Sequence, residues 1–418
     1  MYILLLLPLA FSMMIYRNKE NKIVKPVLYF YLIGSCFAVL MTLNSFFKDS
    51  MNYGFQSPSI VATLFLILCN YILCLPLTTP RYINASFSIN RHNFTIVSYF
   101  FIVISLLYCI ASIPFIMSSF NSSDFSAYKA DVLQNGLNLA DGNPILSVLF
   151  KIQLISRPII TFMFCYAIAF KPCSKRIIIA LAIISILPPF FHSLAAAHRN
   201  IIVFAVFDFI LCYTIFKNQF SKHINKIFYT IGLVVILAML FIVLYFAFLR
   251  FGGRENGFLI FMFERYWGEP FVDFNTMLWG NEQYLYGNKC FPLVRQLLGL
   301  DFIDPKTIRE TTSFLKYENY YFYSSIGNLY MDFGPWGTLF LCIICVYVFM
   351  KLLKRVKRKR FTSLLFLYIY GTIHMRNYFY FYYMGYSNTY FLYLVIMLFI
   401  IYILIENGET LIKYEKVC

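Results

Sequence analysis

Residues 331–360 read MDFGPWGTLFLCIICVYVFMKLLKRVKRKR, an apolar run over 331–350 followed by ten residues that carry seven Lys and Arg. An apolar run of about twenty residues is long enough to cross a bilayer as a helix. Lys and Arg accumulate on the cytoplasmic side of such helices. The stretch therefore predicts a membrane-spanning helix whose end at 351–360 lies in the cytoplasm.

Ten further apolar runs share this character. They lie at approximately 2–16, 26–47, 59–77, 94–117, 146–170, 177–195, 200–216, 228–249, 361–376 and 388–405. The predicted fold class is therefore an all-α polytopic membrane protein with about eleven transmembrane helices. An odd number of spans, counted from the cytoplasmic segment 351–360, places the N-terminus outside and the C-terminus inside.

The composition agrees with a lipid environment. Hydrophobic residues make up 60% of the chain and charged residues 13%, with a mean hydropathy of +0.69. The net charge of +16 would suggest nucleic-acid binding in a soluble protein, but most of the 35 Lys and Arg fall in the predicted cytoplasmic connections. We therefore predict no nucleic-acid partner. The eleven Cys lie mostly in apolar runs, which excludes an extracellular disulfide framework.

The runs divide the chain into three parts. Residues 1–249 hold the first eight predicted helices, 250–322 form a large loop on the outer face, and 323–418 hold the last three helices and a cytoplasmic tail. The outer loop has eight Lys and Arg and nine Asp and Glu, so it lacks the positive excess of the cytoplasmic segments.

A proline pair, Pro188-Pro189, interrupts the run 177–195, and His198-Arg199 follow it. Because proline pairs break helices, we expect a broken helix end that presents a cation and an imidazole at the outer mouth of the bundle. The alternative interpretation is a tight hairpin in which Arg199 reaches the lipid head groups.

Charges also cluster in the outer loop, where Arg250, Arg254 and Arg265 alternate with acids as far as Glu269, and Asp273 follows. Guanidinium groups suit diphosphates, and carboxylates accept protons or bind sugar hydroxyls. A solvated loop with mutual ion pairs is the alternative.

Three cations fall inside predicted spans, namely Lys151, Arg157 and Arg376. Each costs about 2.5 to 3.5 kcal/mol in hydrocarbon, so we expect a polar cavity or an interface around them. Arg157 has the clearest case for a function, whereas Lys151 and Arg376 have snorkelling to the interface as an alternative.

No nucleotide-binding or hydrolase motif is present: the sequence lacks the Walker A, G-x-G-x-x-G, H-E-x-x-H and G-x-S-x-G patterns. No nucleotide is available to an active site on the outer face of the membrane. A reaction there is expected to take its energy from an activated donor carried by the membrane.

Three stretches carry a resemblance to a known family, namely AAAHRN at 195–200, RYWGEPFVDFN at 265–275 and SSIGNLYMDFGPWG at 324–337. Together with the large outer loop late in the chain, they resemble the Wzy-type O-antigen and capsular oligosaccharide repeat-unit polymerases. The resemblance implies a fold akin to the C-type glycosyltransferases. It also implies transfer of a glycan from undecaprenyl diphosphate to another lipid-linked repeat unit, at the outer face of the bacterial inner membrane.

The resemblance implies no cofactor and no metal, because several Arg can supply the positive charge. Its partners are the undecaprenyl-diphosphate-linked oligosaccharide as donor and acceptor, membrane lipid, and a chain-length regulator as a further candidate. The predicted site residues are His198, Glu269 and Asp273 for catalysis, Arg157, Arg199, Arg250, Arg254, Arg265 and Arg376 for the diphosphate, and Asn275, Tyr320 and Tyr321 for the sugars.

Two other functions remain open. An O-antigen ligase would transfer the glycan to a lipid-A core. A lipid-linked oligosaccharide flippase would move it across the membrane, although the long outer loop argues against repeated halves of the alternating-access kind.

Overall fold

The computed structural model describes a helical protein. The described residues are 2–19, 21, 23–43, 57–78, 89–121, 144–196, 200–230, 232–233, 237, 241, 267–301, 303, 324–356, 360–376 and 389–406. Every regular element among them is a helix. This agrees with the membrane prediction, because a helix satisfies its own backbone groups where no water is available.

The helices follow the predicted apolar runs closely, except that most of the run 228–249 lies outside the described residues. They are α1 (Leu6–Arg17), α2 (Val24–Leu43), α3 (Ile60–Cys74), α4 (Arg91–Asn121), α5 (Pro144–Phe170), α6 (Lys175–Ala196), α7 (Asn200–Phe216), α8 (Glu269–Asp273), α9 (Pro292–Leu297), α10 (Ser325–Val356), α11 (Arg360–Arg376) and α12 (Thr389–Glu406). Short 3-10 helices precede α1 and follow α3, and a π-helix, Phe274–Leu278, follows α8.

Six of these helices contain a segment that is long and apolar enough to cross a membrane. The segments are Val24–Leu43, Ile60–Thr78, Arg91–Ser118, Lys151–Phe170, Lys175–Ala195 and Ser325–Leu353. Shorter apolar helices cover Ile3–Arg17, Ile201–Phe216 and Leu392–Ile405. The chain thus has the helices of an all-α membrane protein, and the number eleven stays a prediction.

The chain folds into two compact units. Unit 1 draws on the ranges Met1–Arg81, Gly252–Arg355 and Tyr370–Leu392. Unit 2 draws on Tyr82–Phe251, Val356–Ile369 and Tyr393–Cys418. Each unit therefore combines parts of the chain that are far apart in sequence.

In unit 2 the helix α5 lies at the centre. Its apolar span is 72% buried, whereas that of α4 is 28% buried. On α4, the fully buried residues Ser98, Ser105 and Ser112 recur every seven residues, so small side chains occupy the face that packs against other helices. The centre of unit 2 is consequently where polar side chains from several helices meet.

The predicted break at Pro188-Pro189 is wrong, because α6 continues through both prolines to Ala196. Each proline removes one backbone donor from the helix ladder. Transmembrane helices tolerate this loss when neighbouring groups satisfy the freed carbonyls and the packing of adjacent helices holds the helix in place. The residues after this end, His198 and Arg199, lie outside the described residues.

Part of the predicted outer loop is buried structure. Residues 267–278 form a continuous helical segment, and its residues from Gly268 to Leu278 are buried. The interpretation of Glu269 and Asp273 as members of a solvated loop is therefore wrong, because both side chains are fully buried.

Candidate functional site

The segment 267–278 packs directly on α2 in unit 1. A Cβ atom at Gly268 would lie 2.7 Å from the carbonyl carbon of Phe37 and 2.8 Å from the backbone nitrogen of Ala38. Only glycine allows backbones to approach this closely. The ring of Trp267 packs on Phe30 of α2, with ring centroids 5.0 Å apart. Gly268 and Trp267 thus set the position of the acidic residues that follow.

The two predicted catalytic carboxylates lie on one turn of this segment. Glu269 and Asp273 are four residues apart, so both point to the same side of the helix. Both are fully buried. Helical turns of the π type flank them on either side, a geometry that often occurs at functional sites. The structure therefore brings together two acids that the sequence placed in one motif.

Asn275, predicted to bind sugar, is engaged by the start of α3. The backbone N–H of Ser59 donates to Asn275 Oδ1 (2.6 Å), while Asn275 Nδ2 donates to the Ser59 carbonyl (3.2 Å) and to Thr63 Oγ1 (2.6 Å). These bonds anchor the π-helix to α3. The structure gives Asn275 an anchoring position, and its sugar-binding role stays a prediction.

Unit 1 also buries the end of α11. Arg376 is fully buried, so snorkelling to an interface is the wrong interpretation for this residue. His374, two residues before Arg376, is also buried, and its Nδ1 forms a hydrogen bond with the hydroxyl of Tyr31 on α2. Among the described residues, His374 Nε2 has no hydrogen-bond partner.

Aromatic contacts link this histidine to the acidic segment. Phe11 packs on Tyr31 with ring centroids 5.5 Å apart, and on Phe271 with centroids 5.9 Å apart. Phe271 lies between Glu269 and Asp273 in the sequence of α8. The pairing of His374 with Tyr31 had no signal in the sequence.

A third carboxylate in unit 1, Asp332, was missed by sequence reasoning. Its oxygens accept from the backbone N–H groups of Lys289 (3.0 Å) and Cys290 (2.6 Å). The N–H of Tyr286 donates in turn to the Asp332 carbonyl (3.0 Å). Asp332 therefore ties the turn 286–290 to α10. Burial raises the pKa of the Cys290 thiol well above its usual value, and the nearby Asp332 carboxylate raises it further.

The helix α10 kinks directly after this carboxylate. Gly334 has φ 65° and ψ −170°, and Pro335 follows it. A Cβ atom at Gly334 would lie 2.7 Å from the ring of Tyr284. Glycine is required here both for the positive φ and for the close ring contact. At the kink the backbone of α10 lies against the ring of Tyr284.

Unit 2 holds a different set of buried polar residues around the predicted diphosphate ligand Arg157. Arg157 Nε lies 3.9 Å from an Asp208 carboxylate oxygen, and both side chains are almost completely buried. Asp208 is the single acid in the apolar run of α7. An acid inside a span is itself a signal of function, so the sequence offered a means of finding it. The diphosphate role of Arg157 stays a prediction.

Next to this pair lies a small cleft. Its lining residues are Tyr108, Gln153, Leu154, Arg157, Pro188, Pro189 and His192. The hydroxyl of Tyr108 is 2.7 Å from His192 Nδ1, and their rings stack with centroids 6.3 Å apart. Ser105 donates to Gln153 Oε1 (3.0 Å). The cleft is thus polar at its base and lies among helices of unit 2.

The remaining predicted site residues lie outside the described residues. They are His198, Arg199, Arg250, Arg254, Arg265, Tyr320 and Tyr321. Of the predicted set, Glu269, Asp273, Asn275 and Arg376 belong to unit 1 and Arg157 belongs to unit 2. Within the described residues, no group of three or more His, Cys, Asp or Glu is arranged to hold a metal ion.

Comparison with known proteins gives no relative. No protein-family model, no curated protein and no solved structure matches the chain.

Proposed function

We propose that the chain is a membrane glycosyltransferase that polymerises oligosaccharide repeat units carried on undecaprenyl diphosphate. The observation that carries the proposal is the buried pair Glu269 and Asp273 on one helical turn. Two carboxylates on one turn of a buried helical segment are typical of sites that transfer protons. The pair also falls within 265–275, one of the stretches that resemble the polymerases.

In the proposed reaction, a hydroxyl oxygen of the acceptor sugar attacks the anomeric carbon that carries the diphosphate. The new carbon–oxygen bond forms as the bond to the diphosphate oxygen breaks. The hydroxyl proton passes to Glu269 or Asp273, and undecaprenyl diphosphate leaves with the electron pair. The reaction takes its energy from the donor, so it requires no nucleotide.

Positive charge for the leaving diphosphate comes from arginine in this proposal. Arg376 is fully buried within unit 1, the unit that also contains the acid pair. A guanidinium group can bind a diphosphate through two parallel hydrogen bonds. The predicted ligands Arg199, Arg250, Arg254 and Arg265 complete the set. Arg157 has Asp208 beside it and is the weaker candidate for this role.

The proposed setting is the bacterial inner membrane. About eleven spans with a C-type glycosyltransferase-like arrangement, an outer N-terminus and a cytoplasmic C-terminus would place the loop 250–322 on the outer face. Six helices of spanning length and the seven Lys and Arg at 351–360 support this orientation.

Glycan analysis in a deletion strain tests the proposal and separates it from its alternatives. Loss of a polymerase leaves single repeat units attached to the final carrier. Loss of a ligase leaves long chains on undecaprenyl diphosphate. Loss of a flippase leaves neither single repeat units nor long chains on the outer face of the membrane. Long chains on the final carrier in the deletion strain would contradict the proposal.

A further inference from the structure

The cleft in unit 2 has a regular construction that the proposed function does not use. The helix α5 contributes Gln153, Leu154 and Arg157, and α6 contributes Pro188, Pro189 and His192. Both sets have the spacing i, i+1, i+4, which places their members on one face of each helix. Tyr108 of α4 completes the lining. Three helices therefore present selected side chains to one small space.

Gln153 supplies a hydrogen-bond donor to this space. Its side chain is 4% exposed, and its Oε1 accepts the hydrogen bond from Ser105. Among the described residues, Gln153 Nε2 has no hydrogen-bond partner. A buried donor without a partner lowers stability. An oxygen atom bound in the cleft would remove that cost.

The size and charge of the cleft limit which ligand can supply this oxygen atom. The space is large enough for about one water molecule. The positive charge of Arg157 faces the negative charge of Asp208 at 3.9 Å. An additional anion would compete with this carboxylate in a region of low dielectric constant, which is unfavourable. The ligand that fits is therefore small and neutral.

We propose that the cleft binds a single hydroxyl group, with Gln153 Nε2 donating to the hydroxyl oxygen and the Tyr108–His192 pair lining the opposite helices. The hydroxyl belongs either to water or to a carbohydrate. The carbohydrate source rests on the proposed function, whereas the hydroxyl site itself does not.

Cysteine labelling of the full-length protein in membranes tests the site. The variant Gln153→Cys, whose shorter side chain enlarges the space, is treated with the small neutral reagent methyl methanethiosulfonate. Modification is followed by mass spectrometry of the peptide that contains the new cysteine. Thiols react as thiolates, which form in contact with water, so we expect labelling at least about tenfold faster than at apolar control positions.

Two control positions are available. Ile160→Cys lies on the same helix at a fully buried apolar position, and Ile110→Cys lies on α4 at a position that is 64% exposed on an apolar face. Leu154→Cys is a second test variant, because Leu154 lines the cleft without a side-chain hydrogen bond and its replacement leaves the polar groups intact. It tests the same space if Gln153→Cys does not fold.

The source of the hydroxyl is found by comparing membranes from cells in which lipid-linked sugar synthesis proceeds with membranes from cells in which it is blocked. Slower labelling when the lipid-linked sugar is present supports a carbohydrate hydroxyl. Equal labelling in both supports water. Labelling of both test variants as slow as that of Ile160→Cys overturns the site. Because labelling requires no turnover, this result is independent of the glycan analysis that tests the proposed function.

Discussion

The two units bury charge in different ways. In unit 2, Arg157 lies opposite Asp208, so a cation and an anion offset each other. In unit 1, Glu269 and Asp273 place two acids on the same helical turn. Opposite charges offset each other inside a membrane protein, whereas two acids on one turn take protons or positive charge from other groups. We therefore propose chemistry for the acid pair and a packing role for the ion pair.

The largest expected effect comes from breaking the ion pair. Arg157→Ala or Asp208→Asn alone removes one member of a buried ion pair, and should destabilise the protein by about 3 to 5 kcal/mol. The double variant Arg157→Met with Asp208→Leu should recover most of this loss. Thermal unfolding in detergent measures both effects. Lys151→Ala, a half-buried position on α5, is the control and should change little. Equal losses of stability in the single and double variants would contradict the claim that Arg157 and Asp208 offset each other's charge.

A smaller effect is expected at Asp332, a buried carboxylate that backbone N–H groups hold in place. Asp332→Asn replaces one acceptor oxygen by a donor and should destabilise the protein by about 1.5 to 3 kcal/mol, the range for hydrogen bonds to charged groups. The control Asp301→Asn changes an exposed acid.

The thiol of Cys290 gives this substitution a local measurement. Because burial raises its pKa, the thiolate fraction at pH 8 is small and alkylation of the parent should be slow. Loosening of the turn 286–290 in Asp332→Asn should make alkylation faster. Unchanged alkylation and stability would show that the backbone bonds to Asp332 are dispensable.

The position of the acid pair depends on Gly268. Gly268→Ala would place a methyl group 2.7 Å from the backbone of α2 and should cost about 1 to 3 kcal/mol. Gly232→Ala is the matched control, because nothing lies within 4 Å of its added Cβ and alanine favours a helix. Thermal unfolding should therefore shift in opposite directions for the two variants. A shift in the same direction for both would mean that the close approach to α2 does not position the segment.

The smallest effect is expected at the Tyr108–His192 hydrogen bond. Tyr108→Phe removes the hydroxyl and should cost about 0.5 to 1.5 kcal/mol. Tyr99→Phe on the same helix removes a hydroxyl at a position that is 55% exposed and should be neutral. If the two variants unfold at the same temperature, the Tyr108 hydroxyl does not stabilise unit 2.

The positions of the helices could be predicted from the sequence because long apolar runs leave the chain few alternatives in lipid. The helix at 177–195 shows where this reasoning fails. Pro188 and Pro189 break isolated helices, but neighbouring helices can hold α6 continuous, and that support is not visible in one segment. The prediction erred by treating local propensity as decisive.

The site could be predicted in part. Glu269 and Asp273 were found because they share one motif, but their burial depends on the contact between Gly268 and α2, which joins distant parts of the chain. Asp208 carried a signal that was overlooked, since a lone acid in an apolar run predicts a cation partner. Asp332 and Gln153 have partners set by tertiary contacts alone, and sequence spacing does not reveal them.

Glycan length in cells that carry Glu269→Gln or Asp273→Asn tests the central claim most directly. Both changes keep size and remove charge, and the amount and thermal stability of each variant in membranes are measured so that glycan length is compared at matched amounts of folded protein. The exposed acid Glu282 supplies the matched control Glu282→Gln. We expect long chains with the control and single repeat units with at least one of the two buried substitutions. Long chains with both buried substitutions would contradict a glycosyltransferase site built on this acid pair.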